Sequence, residues 1–184
     1  MEDSFSVLGY HKTRRLRAAN IYSTKVFPLS TGRKMWLGDG VYFWDTLENA
    51  EWWNQDKYTD GVILSAQLSC KTENYIDLDN PVHMRAIVEY AELIKEQVAA
   101  DGSVDIDFQD KVQARAFFCT GYKKAYGIQL MRHSFPWLVD NSAGFRELHS
   151  RAQYCATDNS IISNIEYISD TITGNIVGDN NEYI

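Results

Sequence analysis

Two short segments of this 184-residue chain gather residue types that can bind or activate a small ligand. One is Gly9-Tyr10-His11-Lys12-Thr13; the other is Trp36-Leu37-Gly38-Asp39-Gly40-Val41-Tyr42-Phe43-Trp44, with Ala50 following. A histidine at a strand end can offer ring nitrogens to a ligand hydroxyl while the backbone amides after it meet an amide or phosphate. Tyr42, two residues past a glycine turn, can face a flat aromatic ligand whose approach the glycines allow. Each segment also has a plainer account. A lone histidine at a strand end is commonly a satisfied structural group, and an aromatic run is commonly core.

Positioning these residues takes a strand before His11 and a tight turn before Tyr42. Phe5 to His11 reads as that strand. Thr13 is placed to cap a helix in which Leu16, Ala19 and Asn20 share a face, ending near Tyr22. Gly38 and Gly40 make a turn that feeds the β-branched and aromatic run Val41 to Trp44, a second strand. Asp45 with Glu48 resembles a capping box for a helix burying Leu47, Ala50 and Trp53. Gly61 to Leu68 and Tyr75 to Leu78 read as strands. Asn80-Pro81 is a strong helix start, and Met84, Ile87, Val88, Ala91, Ile94 and Val98 then recur at helical spacing. Phe108 to Lys124 is predicted as a helix carrying Val112, Ala116 and Cys119 on one side. Gly127 to Met131, Gln153 to Ala156 and Ile161 to Ile168 look like strands, with a turn at Asp158-Asn159-Ser160. Residues 170–184, rich in Asn, Asp and Gly, are expected to form a loose tail.

Strands and helices alternate without a regular βαβ rhythm, which favours an α+β fold in one domain over 1–184. Gly38-Asp39-Gly40 lacks a third glycine opening a helix, so a dinucleotide-binding Rossmann fingerprint is not met. The composition is 45% hydrophobic and 13% aromatic, enough to build a core and exclude disorder as the main state. No stretch of about 20 apolar residues exists to span a membrane. Glu2 and Asp3 stand where a secretory leader would be basic, and the three cysteines are odd in number and far apart, so a reduced, cytoplasmic setting is expected. Scattered histidines and cysteines show no metal-ligand spacing. The net charge of -7 is uneven. Residues 1–35 hold seven basic and two acidic groups, a local +5, while the other 149 positions carry 11 basic and 23 acidic, or -12. Such asymmetry marks either a phosphate-facing surface or a solvated helix face.

Taken together, Tyr-His-x-Thr followed some thirty residues later by Gly-x-Gly-Val-Tyr-Phe and a helix alanine resembles the His–Tyr branch of the ADP-ribosyltransferases, which includes diphtheria-type toxins and poly(ADP-ribose) polymerases. Trp-Leu-Gly-Asp-Gly-Val-Tyr-Phe-Trp is similar to small prokaryotic and phage-borne members. The resemblance covers residues 9–53. It implies a split pair of antiparallel sheets with flanking helices, gripping NAD as co-substrate in a cleft. His11 then corresponds to the histidine that bonds the adenine-side ribose, and Tyr42 to the tyrosine that stacks on nicotinamide. Lys12 stands where a glycine usually holds the carboxamide through its backbone. Thr13, Gly38 and Gly40 would shape the same pocket, and Arg14, Arg15 or Arg17 could meet the pyrophosphate.

The resemblance also calls for a third residue at the start of a late strand, often Glu, to stabilise oxocarbenium charge on the ribose. Gln153, opening Gln-Tyr-Cys-Ala, has the strand context; its amide can bond a ribose hydroxyl without bringing charge. Glu166 has the charge but comes one strand later, and Glu182 has little chain beyond it. The order of preference is Gln153, Glu166, Glu182. With Gln153 the implied activity is transfer of a single ADP-ribose to a protein or nucleic-acid acceptor with release of nicotinamide, in a toxin or phage–host conflict factor that could have an inhibitor or antitoxin. An inert NAD- or ADP-ribose-binding module is the alternative. A thiol hydrolase built on Cys119, His133 or His149 and Asp140 is a rival of another class.

Overall fold

A computed structural model describes residues 3–53, 60–101, 107–140 and 146–170. The predicted tail beyond Asp170, Glu182 included, lies outside the described residues. The elements in chain order are β1 (Ser4–Arg14), α1 (Arg15–Thr24), β2 (Val41–Trp44), α2 (Leu47–Trp52), β3 (Gly61–Lys71), β4 (Tyr75–Asp77), α3 (Pro81–Asp101), α4 (Lys111–Tyr126), β5 (Leu130–Asp140), β6 (Arg146–Ala156) and β7 (Ile162–Asp170). The strands form one mixed sheet in the order β4-β5-β6-β2-β1-β3-β7. Every pairing is antiparallel except β4 with β5, which the crossover through α3 and α4 makes parallel. The architecture is α+β, as the interspersed pattern predicts.

The seam of the sheet lies between β1 and β2. β1 pairs with β3 over eleven residues, from Ser4↔Lys71 to Arg14↔Gly61, yet meets β2 at a single registered pair, Tyr10↔Trp44. Two wings result, β4-β5-β6-β2 and β1-β3-β7, joined at a narrow junction beside His11.

Alternation along the strands sends side chains to two cores. Phe43, Val41, Leu64, Leu68, Leu130 and Tyr154 pack with Ala18 and Ile21 of α1 on one face. Met131, Cys155 and Ile76 pack with Ile87 of α3 and Cys119 and Tyr122 of α4 on the other. A third cluster on that second face joins Trp44, Ala50 of α2 and Ile63. Each large apolar side chain so covered contributes about 1.5–3 kcal/mol.

Several boundaries differ from the sequence expectation. Thr13 is not a helix cap: β1 runs on to Arg14 because β3 pairs with it that far, and α1 begins at Arg15 with no side-chain cap. The buried face of α1 is Ala18 and Ile21, which pack on the sheet, while Leu16 is 84% exposed. The cap of α2 is Thr46, whose hydroxyl accepts from the Asn49 amide. Asp45 instead accepts from the Asn49 side chain. Asn80 does cap α3, accepting from the Val82 amide at 2.9 Å. Met84 and Ile87 face inward there, whereas Val88 is exposed. Gly127 belongs to the end of α4, in the left-handed conformation that glycine adopts most easily, and β5 starts only at Leu130.

Candidate functional site

The site is built outward from the seam. Where the β1–β2 ladder stops, His11 Nδ1 lies 2.8 Å from the Tyr42 carbonyl oxygen, so the side chain ties the strands together. A carbonyl only accepts, so Nδ1 carries the proton and Nε2 is the acceptor of the neutral ring. The imidazole meets Phe27 edge-on at 5.1 Å and leans on Phe43 at 5.7 Å. Burial lowers its pKa, the Tyr42 bond opposes that, and the charge of Arg17 lowers it further. His11 is therefore held neutral, with a cationic residue of α1 within electrostatic reach.

Lys12 has ordinary extended torsions, paired with Ile63, so this position demands no glycine conformation. Its side chain is buried and its ammonium donates to the Glu51 carbonyl at the end of α2, 2.6 Å away. Thr13 is buried beside it. Arg14 is exposed at the end of β1.

The glycine turn is packed against protein. A Cβ on Gly38, which has φ +75°, would lie 2.5 Å from the Thr120 hydroxyl of α4; one on Gly40 would lie 2.5 Å from the Ala156 carbonyl of β6. The expectation that these glycines open space for a ligand is corrected: they let the turn dock between α4 and β6. Two anchors fix it there. The Tyr42 hydroxyl donates to the Gly38 carbonyl at 2.6 Å and accepts from the Leu37 amide at 2.8 Å. Beneath, Lys123 of α4 is buried and donates to the Leu37 and Asp39 carbonyls at 2.7 and 2.6 Å, with Cys155 Sγ at 3.0 Å. Burial first, and Cys155 beside it, push the Tyr42 phenol well above its usual pKa. Tyr42 thus holds its own ring in place.

β6 lies next to β2, and Gln153 stands opposite Trp44 on one side and His133 of β5 on the other. Gln153 is only 5% exposed. By strand alternation Tyr42, Trp44, Gln153 and His133 share one face of the sheet. Over that face stands an aromatic wall: Trp44 and Trp53 at 5.5 Å, Trp53 and Trp36 at 6.3 Å, Trp36 and Phe135 at 4.5 Å, Phe135 and His133 at 5.0 Å between ring centres.

The structure thus unites Tyr42 and Gln153 and joins His11 to them through the Tyr42 backbone, with the imidazole ring on the Phe43 side of the seam. Glu166 is apart. It is exposed on β7, opposite Ser65, with β1 and β3 between its strand and β2, roughly 14 Å at about 4.8 Å per strand. The thiol hydrolase loses its nucleophile: burial pushes the Cys119 thiol up to about 12, despite the opposing charge of Lys123, and His133 is bonded to Asp79 instead. No cluster among the described residues could hold a metal. No helix among them is long and apolar enough to cross a membrane.

Sequence reasoning passed over Trp36 and Trp53 as parts of an aromatic wall, and Lys123 and Asp79 altogether. Four of the five tryptophans fall within residues 36–53, a density that could have marked the aromatic wall. Comparison of the sequence with protein-family models and with curated proteins finds no match.

Proposed function

We propose that this protein is an NAD-dependent mono-ADP-ribosyltransferase, moving ADP-ribose from NAD to a macromolecular acceptor, protein or nucleic acid, with release of nicotinamide. The observation that carries the reading is Gln153, buried on the strand beside Tyr42 and on the sheet face that the aromatic wall covers. A polar side chain beside flat rings suits a ligand that is both planar and hydroxylated, as a nicotinamide riboside is. The two-winged sheet with His11 at its seam accords with the split-sheet family that the motifs resemble. On this reading Tyr42 and the tryptophans flank the ring, Gln153 orients the ribose at the scissile bond, Arg14 at the end of β1 meets the pyrophosphate, and His11 acts from the other face by holding β1 to the Tyr42 carbonyl.

Incubation with NAD carrying label in the adenylate half, together with a cell lysate, is expected to release nicotinamide and label an acceptor. His11→Ala and Gln153→Ala should each lower release at least tenfold, while Glu166→Ala stays near wild type. Full labelling by His11→Ala would refute the assignment. The charge-neutral Gln153 favours one other reading, an NAD-binding module without transfer, which calorimetric binding with no nicotinamide release would reveal.

A further inference from the structure

Gln153 leaves the site one negative charge short. Departure of nicotinamide builds positive charge at ribose C1′, and a hydroxyl attacking that carbon must lose a proton. A neutral amide performs neither task.

The neighbouring strand carries groups that do. His133 stands directly opposite Gln153. Residues so paired project from the same face, with Cβ atoms about 4.5–5.5 Å apart. His133 Nδ1 lies 2.8 Å from Asp79 Oδ1. Asp79 also accepts from the Ser134 amide at 3.0 Å and from Arg132 at 2.6 Å. Burial alone would raise its pKa, but the bonds from Ser134, Arg132 and His133 prevail and hold the carboxyl well below its usual range. An ionised carboxylate can only accept, so Nδ1 is the donor and Nε2 is left as a proton acceptor. Arg132 is shared with Asp77, which it meets at 3.0 Å, so two carboxylates face one guanidinium and the cluster keeps a net negative charge.

We infer that His133 is the proton acceptor for the attacking group, with Asp79 as its positioning residue, and that the acceptor is a hydroxyl. The inference rests on the transferase reading above. In the step, the acceptor oxygen bonds to C1′ as the bond from C1′ to the pyridinium nitrogen breaks. The electron pair of that bond leaves on neutral nicotinamide, and the hydroxyl proton passes to His133 Nε2. The positive charge of the pyridinium reappears on the imidazolium, beside Asp79. A carboxylate acceptor would need no base, which is why a hydroxyl is assigned. With water the product is free ADP-ribose.

The same bonds could simply clasp the turn before α3 to β5, so the test must separate the two roles. His133→Asn keeps a donor near the Nδ1 position and removes Nε2. Nicotinamide release is measured from NAD alone, with water as acceptor, and with added methanol. The expected result is a kcat lower by about a hundredfold with both acceptors, an unchanged KM for NAD and melting temperature, and partial rescue by imidazole in solution. Gln153→Glu in the same chain should restore part of the rate by returning a carboxylate. A His133→Asn variant within threefold of wild type, or one impaired only in KM or melting temperature, overturns the inference while leaving the transferase reading intact. Absence of nicotinamide release from the wild type under every condition overturns both. Should His133→Asn not fold, Asp79→Asn, which retains an acceptor oxygen but no charge, is expected to lose about tenfold in kcat, and an unchanged kcat is equally decisive against it.

Discussion

Tyr42 spends its hydroxyl on its own polypeptide, with one bond to the Leu37 amide and one to the Gly38 carbonyl. Two functions of the residue therefore separate. Tyr42→Phe leaves the ring and strands the buried Leu37 amide, which should cost about 1–3 kcal/mol. That corresponds to roughly 2–4 °C of melting temperature per kcal/mol in a domain of this size. Nicotinamide release should persist in that variant and be lost in Tyr42→Ala, because the flat face is what a stacked ligand uses. Equal loss of release in both would show the hydroxyl, not the ring, to be the functional group. In the sequence pattern His11, Tyr42 and Gln153 stand out by a strand end, a glycine turn and the head of an aromatic strand, but in the structure β1 runs past His11 to Arg14 and β6 begins well before Gln153, at Arg146. Asp79 does not stand out, because its meaning comes from His133, 54 positions away.

The Gly38 turn is an element whose shape depends on another element. Lys123 reaches it from α4 across 86 positions of sequence, and in the helix pattern that lysine reads as one more solvated cation. Lys123→Met should strand the Leu37 and Asp39 carbonyls and destabilise the protein by about 2–4 kcal/mol in urea unfolding. Gly38→Ala meets both a clash with Thr120 and an unfavourable φ, so it should cost about 2–3 kcal/mol. Gly32 has φ +122° but open space around it, and Gly32→Ala should cost only about 1 kcal/mol. Equal losses at the two glycines would refute the docking of the turn against α4. The start of α1 makes the same point from the other side. Thr13 has the chemistry of a cap, yet a ladder partner on β3 claims its backbone, and tertiary pairing overrides the local preference.

For the whole molecule, the lowered pKa values of His11 and Asp79 predict how stability follows pH in acid. His11 is neutral when folded and has a pKa below its ordinary value of about 6.5. Below that pH the unfolded chain gains a proton that the folded one resists, so stability falls as the medium becomes more acid than about 6.5. Asp79 is held ionised when folded, so its contribution is present above about 4 and is lost as pH drops through that value toward its lower folded pKa. Urea unfolding measured across pH should show both losses. His11→Asn, which retains a donor for the Tyr42 carbonyl, should abolish the first and keep the second; Asp79→Asn should do the reverse. A first loss that survives in His11→Asn would show that another group titrates there.

Local pattern alone established the α+β class, the strand entering His11, the glycine turn before Tyr42 and the Asn80-Pro81 helix start. These follow from side-chain periodicity, torsional preference and capping, which act over a few residues. Only the folded chain decided that β6 rather than β7 lies against β2, that β1 and β2 meet at one pair, that the glycines serve a protein contact, and that His133 stands beside Gln153. Strand order and facing partners depend on which distant surfaces bury each other, and periodicity reveals that a face is buried without revealing what covers it.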